Sequence, residues 1–463
     1  MDYVSTQDEQ AAWASTVRGV IRGKTGIAVM QASASESYNF QPLLHSLAAV
    51  KGTRDLILPV GGLGSGRRAD VVDSYIRMIR YDGGKRWRRL IHQQTREVAA
   101  RFPGQHVYWQ VGNEINSWHF GTSLSGWTDS DEDVSYDPIE NIRMLQWDDP
   151  DERSQRKEER KQSKNQLKKF NRNNSDVISL YVEYFLAPTA EAIMDARAGG
   201  ADFGERIKIV LGTIANSHNA RAQTWLDSLL NYRIKGEFAP KLAGRKVSEV
   251  VDIIALHYMV SSPGPDWHSA LRKMYGNWLG NGSITGIWST EEIGKKRAMS
   301  NLGGASAISV LSRYTSLWNE LGIDPSQGRV NFWGWNLGNA GTRADDAMQT
   351  LMRLVGDTPL TSVAEGDVIL QSGGKPESYF FKTAKGQLVL VQFSANQRKS
   401  SVFNGFKTPW VGEPPSGITL IVFSASGQHE PEHEVTLENG WLTVSTPAVL
   451  SPRDAIMVVV DRD

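Results

Sequence analysis

Two pairs of adjacent residues, far apart in the chain, each contain an acidic side chain and end an apolar stretch. Asn113 and Glu114 end the segment HVYWQVGNE, and the adjacent Glu291 and Glu292 end the segment GIWSTEE. Both stretches have the composition of buried strands. A carboxyl group can donate a proton, accept one or attack as a nucleophile. Two such groups facing each other across a small gap could therefore cleave a bond by acid–base and nucleophilic catalysis.

The overall composition argues against several other kinds of chemistry. Lys plus Arg (51) balances Asp plus Glu (51), so nothing favours nucleic acid or an acidic membrane as a partner. The chain has no cysteine, which excludes disulfides and thiol catalysis, and its nine histidines show no HExxH spacing. We therefore expect no catalytic metal and no cofactor. The first residues do not resemble a signal peptide and no apolar run is long enough to span a bilayer. The sequence therefore predicts a soluble protein, cytoplasmic as written or exported if the N-terminus is truncated.

Short apolar runs alternate with longer amphipathic ones as far as about residue 355, which is typical of a parallel α/β fold. The pattern predicts a (β/α)8 TIM barrel over residues 1–356, with the first strand missing or degenerate because a helix-like stretch, 7–22, precedes the first candidate. An open barrel of seven strands is the alternative. The candidate strands are GIAVMQA (26–32), RDLILPV (54–60), HVYWQVGNE (106–114), IKIVLG (207–212), VDIIALHY (251–258), SITGIWSTE (283–291) and RVNFWGWN (329–336).

Two further regions depart from this rhythm. Residues 127–176 are acidic and then strongly mixed in charge, so they form either a solvated, partly helical excursion or a lid or homo-oligomer contact beside the strand ends. Residues 357–463 show short alternating strands with turn signals such as TAKGQ, and they predict an all-β sandwich.

The barrel prediction places these carboxyl groups at positions where catalytic residues are expected. Barrel enzymes place their catalytic groups at the C-terminal ends of the strands, where Glu114 and Glu291 stand. Retaining glycoside hydrolysis needs two carboxyl groups about 5 Å apart, one as nucleophile and one as proton donor. The pairing of two acidic strand ends therefore fits that reaction better than either acidic residue alone.

The motifs resemble clan A of the glycoside hydrolases, in which an Asn-Glu pair ends strand four and a nucleophilic Glu ends strand seven. With a missing first strand counted, Glu114 falls on strand four and Glu291 or Glu292 on strand seven. The barrel followed by a β-sandwich is similar to family 39 and related families. The resemblance covers the strand order and a handful of motifs, and it implies that Glu114 is the acid/base.

The nucleophile has two candidates. Trp288-x-Thr290-Glu291 resembles one common strand end of the clan, whereas Glu292-x-Gly294 resembles another. Because neighbouring strand residues face opposite ways, only one of the two can enter the barrel. The motif favours Glu291.

The resemblance also implies a set of supporting residues. Asn113 would bond the sugar 2-hydroxyl, and His257 or Tyr258 would bond the nucleophile at the end of the sixth strand. Trp335 would form the floor under the cleaved sugar. The remaining candidates for substrate contact are Trp118 and His119 in the turn after Glu114. The clan's usual Arg near the end of strand two is absent from GIAVMQASASES, which puts the positioning of the nucleophile in doubt.

Three functions follow as alternatives. The leading one is a retaining glycoside hydrolase that cleaves β-glycosidic bonds of an oligo- or polysaccharide. The missing Arg and the doubtful first strand motivate a second, a carbohydrate-binding or assembly protein on a glycosidase scaffold. A transglycosylase, which uses the same two carboxylates, is the third.

Overall fold

The computed structural model describes residues 20–22, 55–60, 79–80, 82–112, 115, 178–200, 203–214, 220–257, 272, 275–292, 304–323, 330–332, 350, 353–354 and, with short gaps, 360–461. By packing, the chain falls into two compact units. One unit consists of Met1–Met259 with Ser269–Glu291, and the other of Val260–His268 with Glu292–Asp463.

The first unit is built on a parallel sheet. Six strands pair side by side in chain order, and every pair is parallel. These strands are β1 (Val20–Arg22), β2 (Asp55–Val60), β3 (His106–Val111), β4 (Ile207–Leu211), β5 (Ile253–His257) and β6 (Gly286–Glu292). A further strand, β7 (Val330–Phe332), forms where the sequence predicts the last one.

The beginning of the sheet differs from the expectation. Val20–Arg22 lies in the stretch predicted to be helical, yet it is a strand and pairs directly with Asp55–Ile57 of β2. The prediction was wrong there because sheet pairing outweighs the weak helical preference of a short segment. The strand expected at 26–32 lies outside the described residues. Between β3 and β6 the order is as predicted, so Glu291 stands three strands after the strand that precedes Glu114.

Helices cover one face of this sheet. Trp87, Ile91 and Val98 recur at helical spacing and are buried, and Trp87 Nε1 donates to Thr189 Oγ1 at 2.9 Å across two packed helices. Residues 178–198 are helical throughout, and Tyr181–Leu186 form a π-helical segment within them. The helices are α1 (Lys85–Arg101), α2 (Ala187–Ala198), α3 (Phe203–Arg206) and α4 (Ala220–Asn231), with 3-10 turns at Pro240–Leu242 and Val247–Glu249.

The other face of the sheet carries its own apolar cluster. Tyr108 and Trp288 meet edge to face, with ring centroids 4.4 Å apart. Both rings are buried, and the contact joins residues of β3 and β6 although two strands separate them. This face is therefore closed on itself, as the interior of a curved sheet is. The cluster consists of Ile57, Tyr108, Val210, Ile253, Ala255 and Trp288.

The second unit contains two antiparallel sheets, whose strands lie between Leu360 and Val460. The hairpin turn predicted at TAKGQ is present, since Lys382 pairs with Leu388 and Thr383 N–H donates to the Gln387 carbonyl at 3.0 Å. One sheet has the strand order β14-β13-β17-β11-β10-β8 and the other β15-β16-β12-β9. The strands are β8 (Leu360–Ser362), β9 (Ile369–Gly373), β10 (Pro376–Thr383), β11 (Leu388–Ser394), β12 (Ser401–Pro409), β13 (Ile418–Ser424), β14 (Gly427–His429), β15 (Glu434–Glu438), β16 (Trp441–Leu450) and β17 (Ala455–Val460).

The six-stranded sheet is buried on both faces. Leu390 and Val458 face Phe403 and Phe406 of the four-stranded sheet in one core. Met457 and Val459 belong to a second core that includes Ile308 of helix α5 (Gly304–Glu320). This helix thus packs on the β-sandwich. No helix among the described residues has the length and apolar character needed to cross a bilayer.

Candidate active site

The turn that carries Glu114 is fixed on both sides. Strand β3 ends at Val111, three residues before the predicted end, because Gly112 adopts a φ of +92° that does not continue a strand. Ile115 is fully buried, and its N–H donates to the Thr213 carbonyl at 2.9 Å. Asn113 and Glu114 lie outside the described residues, but the residues immediately before and after them are anchored to the sheet.

A tyrosine reaches into the gap between the ends of β3 and β4. Tyr181 is fully buried, and its hydroxyl donates to the Val111 carbonyl at 2.6 Å while accepting from the Gly212 N–H at 3.2 Å. Burial raises the pKa of Tyr181 well above its usual value, although the Gly212 hydrogen bond opposes the shift. The hydroxyl therefore remains protonated and can serve as a permanent donor.

Glycines make room for this ring. A Cβ on Gly112 would lie 3.3 Å from Tyr181 Cε2, and one on Gly212 would lie 2.9 Å from the Tyr181 hydroxyl. The Gly212 Cβ would also come within 2.5 Å of the Val111 carbonyl oxygen and 2.6 Å of Ile115 Cγ2. Any side chain at Gly212 would thus disturb the turn, so the absence of a Cβ is a steric requirement.

Gln110 fixes the next carbonyl. Its side chain is fully buried in β3, and Nε2 donates to the Gly112 carbonyl at 3.1 Å. Its Oε1 has no hydrogen-bond partner within the part of the chain that the structure describes. Two successive carbonyls, those of Val111 and Gly112, are therefore held by two different side chains.

The register between β5 and β6 changes just before the second acidic pair. Ala255 pairs with Trp288 and Leu256 with Ser289, but the next residue, His257, pairs with Glu291. One extra residue, Thr290, is accommodated on β6, which is the arrangement of a β-bulge. For His257, Glu291 and Glu292 the structure describes the backbone alone.

Several predicted site residues lie outside the part of the chain that the structure describes. Tyr258 lies outside the described residues, as do Asn113, Glu114, Trp118, His119 and Trp335, and so does the insertion 127–176. Their functions stay predictions. Among the described residues, no three His, Asp or Glu side chains are grouped as a metal site would require.

Sequence reasoning missed Tyr181, Gln110 and Gly212. The signal for Gly212 was available, because the glycine ends the apolar run IKIVL just as Gly112 ends HVYWQV. Tyr181 gave no local signal, since its partner Val111 is 70 residues away.

Comparison with known proteins finds solved glycoside hydrolases. The family 51 arabinofuranosidase from Xanthomonas axonopodis pv. citri is 8% identical, over 97% of this chain and 88% of that one, with a TM-score of 0.47. The α-L-arabinofuranosidase from Thermotoga maritima, an arabinose complex, is 11% identical over 98% and 90%, with a TM-score of 0.47. The catalytic domain of family 30 xylanase C from Talaromyces cellulolyticus is 12% identical over 96% and 97%, with a TM-score of 0.38.

These three proteins belong to clan A, the clan that the sequence motifs resemble. At such TM-scores and identities the likeness assigns neither a substrate nor any residue of this chain. No protein-family model matches the sequence, and no curated protein matches it either.

Proposed function

We propose that this protein is a retaining glycoside hydrolase that cleaves β-glycosidic bonds of an oligo- or polysaccharide on a (β/α)8 barrel. Glu114 is the acid/base and Glu291 the nucleophile. The observation that carries the proposal is the pairing of Glu291 with His257 across the bulge, three strands from the anchored turn that holds Glu114.

The bulge supports Glu291 over Glu292. Paired residues of a parallel sheet share a face, and Ala255 and Trp288 both belong to the enclosed apolar cluster. Simple alternation from Trp288 would bring Glu292 onto that face and turn Glu291 away. The extra residue Thr290 reverses the alternation, because His257, two residues after Ala255, is paired with Glu291. We infer that Glu291 belongs to the enclosed face.

The two carboxyl groups have complementary tasks. A Glu291 carboxylate oxygen attacks the anomeric carbon while the Glu114 carboxyl gives its proton to the departing glycosidic oxygen, so one C–O bond forms as the other breaks. Glu114, now a carboxylate, takes a proton from water. That water attacks the anomeric carbon and releases Glu291, which restores both groups and retains the configuration.

The anchored turn suits the acid/base. Proton transfer in both half-reactions requires one carboxyl group to stay within hydrogen-bond distance of the same oxygen position. Hydrogen bonds to Val111, Gly112 and Ile115, on either side of Glu114 in the sequence, support that requirement.

Hydrolysis of a panel of aryl β-glycosides and polysaccharides tests the proposal. Glu114→Gln should lower turnover of an unactivated glycoside by about 10²- to 10⁴-fold. The matched control, Glu237→Gln, changes an exposed carboxyl of the same unit and should leave turnover unchanged. NMR of the first product should show a retained anomeric configuration.

Three other results would overturn the proposal. Normal turnover by Glu114→Gln would remove the acid/base assignment. Glycan binding by the wild-type protein without product release would indicate a binding protein. Transfer to an alcohol acceptor without release of free sugar would indicate a transglycosylase.

A further inference from the structure

Three hydrogen bonds are made by residues that flank Asn113 and Glu114 in the sequence. Tyr181 holds the Val111 carbonyl, Gln110 holds the Gly112 carbonyl, and the Thr213 carbonyl holds the Ile115 N–H. Asn113 and Glu114 are the only residues between the second and third of these anchors. The residues on either side of this pair are therefore held by hydrogen bonds.

We propose that Tyr181 is a positioning residue for Glu114, acting together with Gln110 through the carbonyls of Val111 and Gly112. The inference rests on the proposed function, but it concerns a residue that no sequence motif singles out. Tyr181 does not touch substrate in this proposal. It acts by fixing the direction in which the chain leaves β3.

The geometry of Tyr181 fits this task. Its hydroxyl joins the ends of two neighbouring strands, because it donates to Val111 of β3 and accepts from Gly212 after β4. The ring fills the space that the missing Cβ atoms of Gly112 and Gly212 leave open. Strand ends that would otherwise move separately are thus held by one rigid side chain.

The helix that presents Tyr181 is also unusual. Tyr181 begins a π-helical segment, Tyr181–Leu186, all of whose residues are buried. π-Helical segments are rare and occur frequently at functional sites, because the extra residue in the turn re-aims the side chains before it. A continuous α-helix would rotate Tyr181 relative to α2. The contact of the Tyr181 hydroxyl with the strand ends therefore depends on the π-helical segment.

A hydroxyl deletion with a matched control tests the proposal. Tyr181→Phe keeps the ring and removes the hydroxyl. The control Tyr379→Phe also removes a hydroxyl from a packed ring, since Tyr379 Oη donates to Glu377 Oε1 at 2.5 Å and the ring stacks on Phe393. None of these contacts involves the turn.

We expect Tyr181→Phe to lower kcat by about 10- to 100-fold with little change in KM, because a displaced acid/base slows chemistry more than binding. The basic limb of the pH profile of kcat/KM, which reports the ionisation of the acid/base, should shift. Hydrogen exchange of the Ile115 amide should become faster by about tenfold, as the loss of one hydrogen bond implies. Tyr379→Phe should change none of the three.

Different failures have different meanings. An active protein whose kcat, pH profile and Ile115 exchange are all unaffected by Tyr181→Phe would overturn the positioning proposal and leave the proposed function intact. A wild-type protein that hydrolyses no glycoside would overturn the proposed function and the positioning of an acid/base with it. Should Tyr181→Phe fail to fold, Gln110→Met removes the second anchor, and unchanged kcat and exchange in that variant would overturn the proposal.

Discussion

His257 on β5 pairs with Glu291 on β6, although the preceding residue, Leu256, pairs with Ser289. From one pair to the next, β6 thus moves on by two residues and β5 by only one. From this single insertion we infer, as part of the proposed function, that Glu291 rather than Glu292 shares a face with Trp288 and Ala255.

The first prediction separates the two glutamates. Glu291→Gln should lower kcat/KM by on the order of 10⁴-fold, because the covalent intermediate can no longer form. Glu292→Gln is the matched control and should retain most of the activity. Steady-state kinetics on an aryl glycoside decide between them, and the opposite ranking would show that Glu292 is the nucleophile.

The second prediction concerns Gly212, which leaves room for the Tyr181 side chain. Gly212→Ala should destabilise the protein by about 1–3 kcal/mol, because the new Cβ would overlap the Val111 carbonyl oxygen and Ile115. Gly104→Ala is the control, since a Cβ there meets nothing within 4 Å. Urea unfolding measures both variants. Equal urea midpoints for the two variants would mean that the ends of β3 and β4 can move apart without loss of stability.

The third prediction concerns the opposite end of β5. Asp252 is buried. It forms an ion pair with Arg197 and accepts a hydrogen bond from the Ile209 N–H at 2.6 Å. Asp252→Ala should cost about 3–5 kcal/mol of unfolding free energy, because Arg197 would be left without its partner carboxylate. The enzymatic rate constants of the folded variant should stay unchanged.

An exposed ion pair provides the comparison for Asp252. Lys241 Nζ lies 2.7 Å from Asp195, and both side chains are in contact with solvent. Lys241→Ala should leave the urea midpoint almost unchanged, since solvent screens such a pair. A loss as large as that of Asp252→Ala would contradict the distinction between the two ion pairs.

The fourth prediction is an alkaline loss of stability. Burial raises the pKa of Tyr232 to about 12, from an ordinary value of about 10, with a smaller opposing effect from the Ser179 hydrogen bond. The unfolded chain therefore loses the proton first as pH rises. The contribution of this group is complete below about pH 10 and is lost as pH rises towards 12.

Tyr181 and Tyr379 have pKa values raised in the same direction, chiefly by burial, and so add to this loss. Urea midpoints at about pH 9 and about pH 11 should fall less for Tyr232→Phe than for the wild-type protein. Equal decreases in the two proteins would show that Tyr232 ionises alike in the folded and unfolded chains.

Much of the fold could be predicted from short stretches of sequence. The strands β3 to β6 and the hairpin at TAKGQ each have their signal within a few consecutive residues. Val20–Arg22 could not be predicted in this way, since three residues carry little intrinsic preference and their strand conformation depends on pairing with β2.

The sequence by itself determined the candidate residues and their strands, because apolar runs and the acidic residues that end them are local properties of the chain. Its motif favours Glu291 over Glu292, but alternation counted along β6 does not register an extra residue that exists only in relation to β5. It could not find Tyr181, whose hydroxyl bonds residues 70 and 31 positions away. Register and long-range hydrogen bonds are relations between segments, so only the tertiary structure decided them.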